Sequence, residues 1–218
     1  MTRRPRLLTT TAAAGVAALL LTACGGDDSD TKANDKIAGA ETSAQATSSP
    51  TTSPSATDGR PKIELPSDLE LIFEDAETGD PVQDAVLADN AERMRAVDAA
   101  ITGTDPKGEA LGFYNTGKAL EAAVSWVNAF EKAGATITGE VRYYDRKVTL
   151  KNDTSATLTF CADESKGFSK DKKTGKIAKT PVTKNSYVQY NTRLDKNPDG
   201  VWQTSQIIST RGAERCQP

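Results

Sequence analysis

From Asp80 onward the hydrophobic positions repeat first every three or four residues and then, after Gly134, every two. Leu87, Ala91, Met94, Val97 and Ile101 fall on one helical face. Asp80-Pro81-Val82-Gln83 supplies the start of that helix: aspartate caps, proline occupies the first turn, and glutamine reaches back to the cap. Gly103 supplies the stop. A second helix is predicted from about Lys118 to Lys132, with Leu120, Ala123, Val124, Val127 and Phe130 on its stripe, Trp126 at the margin and Gly134 beyond its end.

The period of two marks strands. Ile137, Val141 and Tyr143 alternate with Thr138, Glu140 and Arg142; Val148 and Leu150 follow; Ala156, Leu158 and Phe160 alternate with Thr157, Thr159 and Cys161. Asn152-Asp153 predicts a turn between the last two. A lysine-rich loop is expected from Lys166 to Lys184, then a strand with Val188, Tyr190 and Leu194 on one face. Asn197-Pro198-Asp199-Gly200 turns into a final strand, Val201 to Thr210, with Trp202, Thr204, Gln206 and Ile208 on one face. Helices followed by four or five antiparallel strands make an α+β fold, its N-terminal helices packed on a curved antiparallel sheet.

The first sixty residues follow a different logic. Arg3, Arg4 and Arg6 precede an uncharged run, Leu7 to Leu21, too short and too rich in threonine and alanine for a membrane span but suited to a signal peptide. Leu21-Thr22-Ala23-Cys24 then resembles a bacterial lipobox, which implies cleavage before Cys24 and diacylglyceryl transfer to its thiol. Residues 1–23 are thus read as a lipoprotein signal peptide. Residues 24–60 are the lipidated cysteine and a tether, since Gly25 to Arg60 contains twelve Ser/Thr, six Ala and no aromatic residue. Such a segment cannot bury enough apolar surface to offset its ordering entropy. Its 36 residues would span about 30–35 Å end to end. Residues 61–218 are expected to form a single domain.

Composition narrows the chemistry. The 218-residue chain contains no histidine, which removes the commonest general base and the commonest neutral-pH metal ligand. It carries a formal charge of −3, unevenly spread: Glu64 to Glu109 holds 13 acidic and 3 basic residues, Glu140 to the end 9 acidic and 15 basic. An acidic, aromatic-poor chain is not expected to bind nucleic acid. Two cysteines without histidine make no zinc site, and the string from Asp68 to Asp80 lacks the spacing of a calcium loop. No phosphate-binding glycine loop, nucleophile elbow or dinucleotide fingerprint occurs, so no metal and no cofactor is expected. Cys161 and Cys216, an even pair in an exported domain, are read as a disulfide, which would set the final strand beside that of Cys161; two free thiols are the alternative.

Several short stretches carry a family resemblance: Thr78-Gly79-Asp80-Pro81, Arg142-Tyr143-Tyr144-Asp145, Phe160-Cys161-Ala162-Asp163, Gly200-Val201-Trp202 and the terminal Gly212-Ala213-Glu214-Arg215-Cys216. On these, 61–218 resembles a set of actinobacterial secreted lipoproteins, and its element order resembles the nuclear-transport-factor-2-like (NTF2-like, cystatin-like) superfamily. That resemblance implies a cone-shaped domain with a pocket, but no particular activity. Enzymes on this cone often pair an aspartate with a histidine, and this chain has none to match. No catalytic residue is assigned; Asp145, Asp163 and Glu164 are the carboxylates left for an acid–base role. Trp126, Tyr143, Tyr190 and Trp202 are candidates to line an apolar hollow, or else to fill the core. Lys170, Lys172, Lys173 and Lys176 are candidates to touch wall polyanions or lipid headgroups, or else to form a soluble tip.

The expected function is therefore a non-catalytic binding or accessory role in the cell envelope, on the extracellular face of the cell membrane. The membrane is engaged through the lipid on Cys24, and the partner is a hydrophobic small ligand or wall polymer. The alternatives are a hydrolase or isomerase using a pocket carboxylate, and a structural envelope component docking on wall polyanions. Mass spectrometry of membrane fractions should find a mature N-terminus at Cys24 carrying diacylglycerol, and Cys24→Ser should release or stall the protein. An intact Met1 in the mature protein would exclude lipidation.

Overall fold

The computed structural model describes residues 59–74 and 78–218; the expected signal peptide, Cys24 and nearly all of the expected tether lie outside the described residues. The described part is α+β. Its elements run β1 (Leu69–Phe73), α1 (Pro81–Thr102), α2 (Glu109–Tyr114), α3 (Gly117–Lys132), β2 (Ala135–Asn152), β3 (Ser155–Asp171), β4 (Ile177–Ala178), β5 (Tyr187–Lys196) and β6 (Trp202–Arg211). The strands form one sheet in the order β1-β2-β3-β5-β6, with β4 paired to the end of β3. The helices pack on this sheet, the layout that the NTF2-like resemblance implies.

The helix signals act as read. Asp80 accepts hydrogen bonds from the Val82 and Gln83 amides at 2.8 and 3.3 Å, and Gln83 Nε2 donates back to its carboxylate at 3.2 Å. Gly103 ends α1 in the left-handed conformation. The apolar stripe is buried, Leu87, Ala91, Met94, Val97 and Ile101 all lying below one tenth exposure. Yet Asp89, Asn90, Glu92, Arg93 and Asp98 are buried as well. These lie outside the apolar stripe and are covered because α2, α3 and β6 also pack on α1.

Four expectations about the strands are corrected. The sheet is mixed: β1, in a segment where no strand was expected, runs parallel to β2, with Leu69 opposite Gly139 and Phe73 opposite Tyr143. The lysine loop is shorter than expected, because β3 continues to Asp171 and carries Lys166 and Lys170 within it. The final strand does not adjoin the strand of Cys161: β3 pairs with β5, and β5 with β6. Within β6 a register shift opposite Arg193/Leu194 inserts one residue, so that buried Trp202 and Thr204 are followed on the inner face by Ile207, Ser209 and Arg211. A strict alternation would have turned Gln206 and Ile208 inward; Ile208 is instead 68% exposed.

Similar irregularities bend β2. Gly139 lies opposite Gly167 with φ of 99°, and a Cβ there would stand 2.1 Å from the Lys166 carbonyl oxygen. A register shift follows between Glu140 and Arg142. Close backbone approach and a bulge together allow a long strand to curl. An aromatic row crosses the inner face: Phe73 stacks on Tyr143 at 4.8 Å, Tyr143 meets Phe160 edge-on at 6.1 Å, and Phe160 stacks on Tyr190 at 4.9 Å.

Cys161 and Cys216 are joined as a disulfide, both fully buried, with Cα atoms 5.5 Å apart. Cys216 lies in a short 3-10 turn after β6, and the Tyr144 hydroxyl donates to its carbonyl. The bridge spans a separation of 55 residues and pins the C-terminus to the middle of the sheet. Peptide mapping without reduction should recover the two cysteines linked. Replacing both by alanine should lower the unfolding free energy by about 2–4 kcal/mol in chemical denaturation. Free thiols at both positions in exported protein would refute the bridge.

Candidate functional site

Between α1, α3 and the inner face of the sheet the packing leaves a cavity of about 570 Å³. That volume is typical of pockets for small organic ligands. Each side has a local cause. Successive turns of α1 present Arg93, Met94, Val97, Asp98 and Ile101. Helix α3 contributes Ala122, Ala123, Trp126 and Phe130, small side chains in one turn leaving room where a leucine would have filled it. Tyr143, Glu164, Val188 and Tyr190 come from the curved strands, and the bulge in β6 brings Ile207 and Arg211 to the same space. Trp126, 52% exposed, stands at the rim with its ring edge-on to Phe130 at 5.1 Å; Arg93, Asp98 and Tyr143 lie deep.

The deep end is polar. Asp98 is 8% exposed and forms neither a hydrogen bond nor an ion pair through its carboxyl group among the described residues. Burial first, and then the negative charge of Glu164, raise its pKa to about 7 against the opposing pull of Arg93. Arg93, 4% exposed, donates from Nε to the Asn115 side-chain oxygen at 2.8 Å, and its Nη1 lies 3.2 Å from the Met94 sulfur. Burial lowers its proton affinity, partly offset by Tyr190, Tyr143 and Asp98. Burial also lifts Tyr143 well above the ordinary tyrosine value, with Asp98 adding to the effect; Tyr190 is raised by burial and by Glu164. Both hydroxyls therefore remain protonated donors at neutral pH. Glu164 is paired with Arg211 at 2.7 Å.

Of the four aromatic residues expected at a hollow, Trp126, Tyr143 and Tyr190 line the cavity. Trp202 does not: it is fully buried in the main core, because β6 begins beneath α1. Among the three carboxylates considered, Glu164 reaches the cavity. Asp145 is instead paired with Lys147 and Arg215, and Asp163 lies 3.8 Å from Arg142. Lys170 is half-buried in an ion pair with Asp68, so it is not part of a free basic tip; Lys172, Lys173 and Lys176 are exposed there. Asp98 and Arg93 were missed. Their only sequence signal is two charges, five residues apart, on a helix that later proves to be enclosed.

Among the described residues no group of three or more acidic or cysteine side chains is placed to hold a metal ion, and no helix is long and apolar enough to cross a membrane. No protein-family model and no curated protein matches the chain. Among solved structures the chain is similar to a ketosteroid isomerase-like protein from Erwinia carotovora atroseptica SCRI1043, at 18% identity and a TM-score of 0.43, over 61% of this chain and 97% of that one. It is also similar to a protein from Catenulispora acidiphila, at 13% identity and a TM-score of 0.40, over 59% and 93%. Neither likeness carries an activity or a ligand to this chain.

The raised Asp98 has a consequence for stability. The folded state holds its proton up to about pH 7, the unfolded state only to about pH 4, so stability should decline as pH rises between those values. Asp98→Asn should remove that decline and make the protein more stable at about pH 8, by at most on the order of 4 kcal/mol, with little change near pH 4. Urea unfolding at both pH values measures this. An unchanged pH dependence would show that Asp98 is not the buried acid.

Proposed function

We propose that this chain is a lipoprotein anchored through Cys24 on the outer face of a membrane, and that its domain binds a small, mostly apolar molecule in the hollow between α1, α3 and the sheet. The observation that carries this reading is the cavity itself. Its wide wall is aliphatic and aromatic, its deep end holds a few convergent polar groups, and its rim carries an exposed tryptophan. A scaffold with no ligand would gain by filling that space, since an empty cavity forgoes packing energy. The polyanion-docking reading has weaker support, because Lys166 and Lys170 are spent on Glu140 and Asp68.

A second reading, in which the hollow is an active site, is favoured by Asp98. A carboxyl group near neutrality, free of hydrogen bonds and facing a cavity with two tyrosine hydroxyls, has the properties of a proton carrier. Such a group could take a proton from a carbon beside a carbonyl and return it elsewhere on the molecule, with no histidine involved.

A full-length Cys24→Ser protein, free of acyl chains that would compete, suits the test. The neutral probe N-phenyl-1-naphthylamine should gain fluorescence on binding, while Trp126 emission changes and buried Trp202 emission does not. Ala122→Trp, at the exposed rim, should weaken the probe about tenfold or more with the melting temperature nearly unchanged. A probe that ignores the protein, or binds Ala122→Trp equally well, defeats the ligand reading. For the second reading, exchange of the acidic protons of a cyclic enone in deuterated water should be accelerated by the protein and lost in Asp98→Asn.

A further inference from the structure

The cavity contains a positive charge that its own walls hold in no ion pair, Asp98 acting on it only through its field. Arg93 makes no ion pair among the described residues: its bonds go to the uncharged side chains of Asn115 and Met94. Asn115 is in turn held by its Nδ2, which donates to the Leu111 carbonyl at 2.9 Å, so the guanidinium is positioned rather than loose. Two carboxylates share the cavity with it. Glu164 is already taken by Arg211, and the Asp98 carboxyl group receives no hydrogen bond among the described residues. Leaving a buried cation unpaired is costly, and the cost falls when a bound anion supplies the missing charge.

Resting on the pocket reading above, we propose that the ligand is an organic monocarboxylate, with its apolar body against α3 and its carboxylate on Arg93. Planar guanidinium and carboxylate groups match in a two-bond pairing, and the hydroxyls of Tyr143 and Tyr190 add donors at the same end. The apolar body meets Val97, Ile101, Trp126, Phe130 and Val188. An amine in the same place would face the Arg93 charge and would need Asp98 ionised against its burial. An uncharged alcohol gains the apolar contacts but leaves Arg93 uncompensated.

Charge balance also couples binding to a proton. The groups facing Asp98 are Arg93 on its own helix, Tyr143 on β2, Glu164 on β3, Tyr190 on β5 and Arg211 on β6; α3 and β1 present no titratable side chain to the cavity. An ionised Asp98 would set a second negative charge beside the ligand, so the complex keeps Asp98 protonated. Affinity should be level below about pH 7 and fall by up to about tenfold per pH unit above it, with a proton taken up on binding.

The test is isothermal titration of the full-length Cys24→Ser protein with octanoate, 1-octanol and octylamine at about pH 6 and about pH 8.5, in buffers of differing ionisation enthalpy. Octanoate should bind at least about tenfold more tightly than either analogue at the lower pH and lose that advantage at the higher one. Arg93→Gln should bring octanoate to the level of 1-octanol. If that variant does not fold, Asp98→Asn serves instead and should bind octanoate with no dependence on pH over this range. Equal binding of octanoate and 1-octanol, or tighter binding of octylamine, overturns the carboxylate proposal while the pocket reading stands. Failure of all three and of the neutral probe removes both.

Discussion

The carboxylate of Asp89 joins three parts of the chain that are far apart in sequence. It accepts the Trp202 amide at 2.8 Å and is clasped by both terminal nitrogens of Arg60, at the point where composition still reads as tether. Asp89 is 2% exposed, so this is a buried charge satisfied by a cation and a backbone donor together. The contact fixes α1 against the first residue of β6. Because α1 is a single rigid helix, fixing Asp89 also fixes Arg93 one turn later and Asp98 beyond it. The position of the cavity's polar groups thus depends on a bond formed outside the cavity.

The sheet supplies the other half of the arrangement. Strands of 18 and 17 residues, β2 and β3, are too long to lie flat beneath one helix, and the glycine pair at 139 and 167 with the adjoining register shift lets them curl. The aromatic row and the main core occupy one end of the resulting trough. At the other end α3 presents alanines, and the space stays open. A chain selected for stability alone would close that space and would not bury Arg93 and Asp98 outside an ion pair. Local departures from good packing of this kind accompany function, and here several coincide in one place. The disulfide works in the opposite direction, securing the C-terminal turn to the back of the sheet.

The sequence by itself determined the limits of α1 and α3, the change of period at Gly134, the main strand-forming segments after it and the cysteine pair. Each rests on neighbours within a few residues or on a simple count: a cap bonds two or three positions away, and alternation needs only the pleat. Three of the four aromatic residues expected at a hollow do line it: alternation assigns the face of Tyr143 and Tyr190, and the helical stripe places Trp126 at its margin.

What required the tertiary structure is everything that depends on what covers a face. Asp98 and Arg93 lie outside the apolar stripe of α1, and only the packing of α2, α3 and the sheet buries them. Trp202 shares a chemistry with Trp126, but one begins a strand beneath α1 and the other stands on the open side of α3. The bulge in β6 exchanges which residues face inward, and nothing in Thr204-Ser205-Gln206 announces it. Strand β1 becomes a strand because β2 offers it an edge, and Lys170 ceases to be a free charge because Asp68 lies across the sheet. Local pattern specifies elements and faces; burial, charge pairing and the cavity arise from contacts between segments distant in the chain.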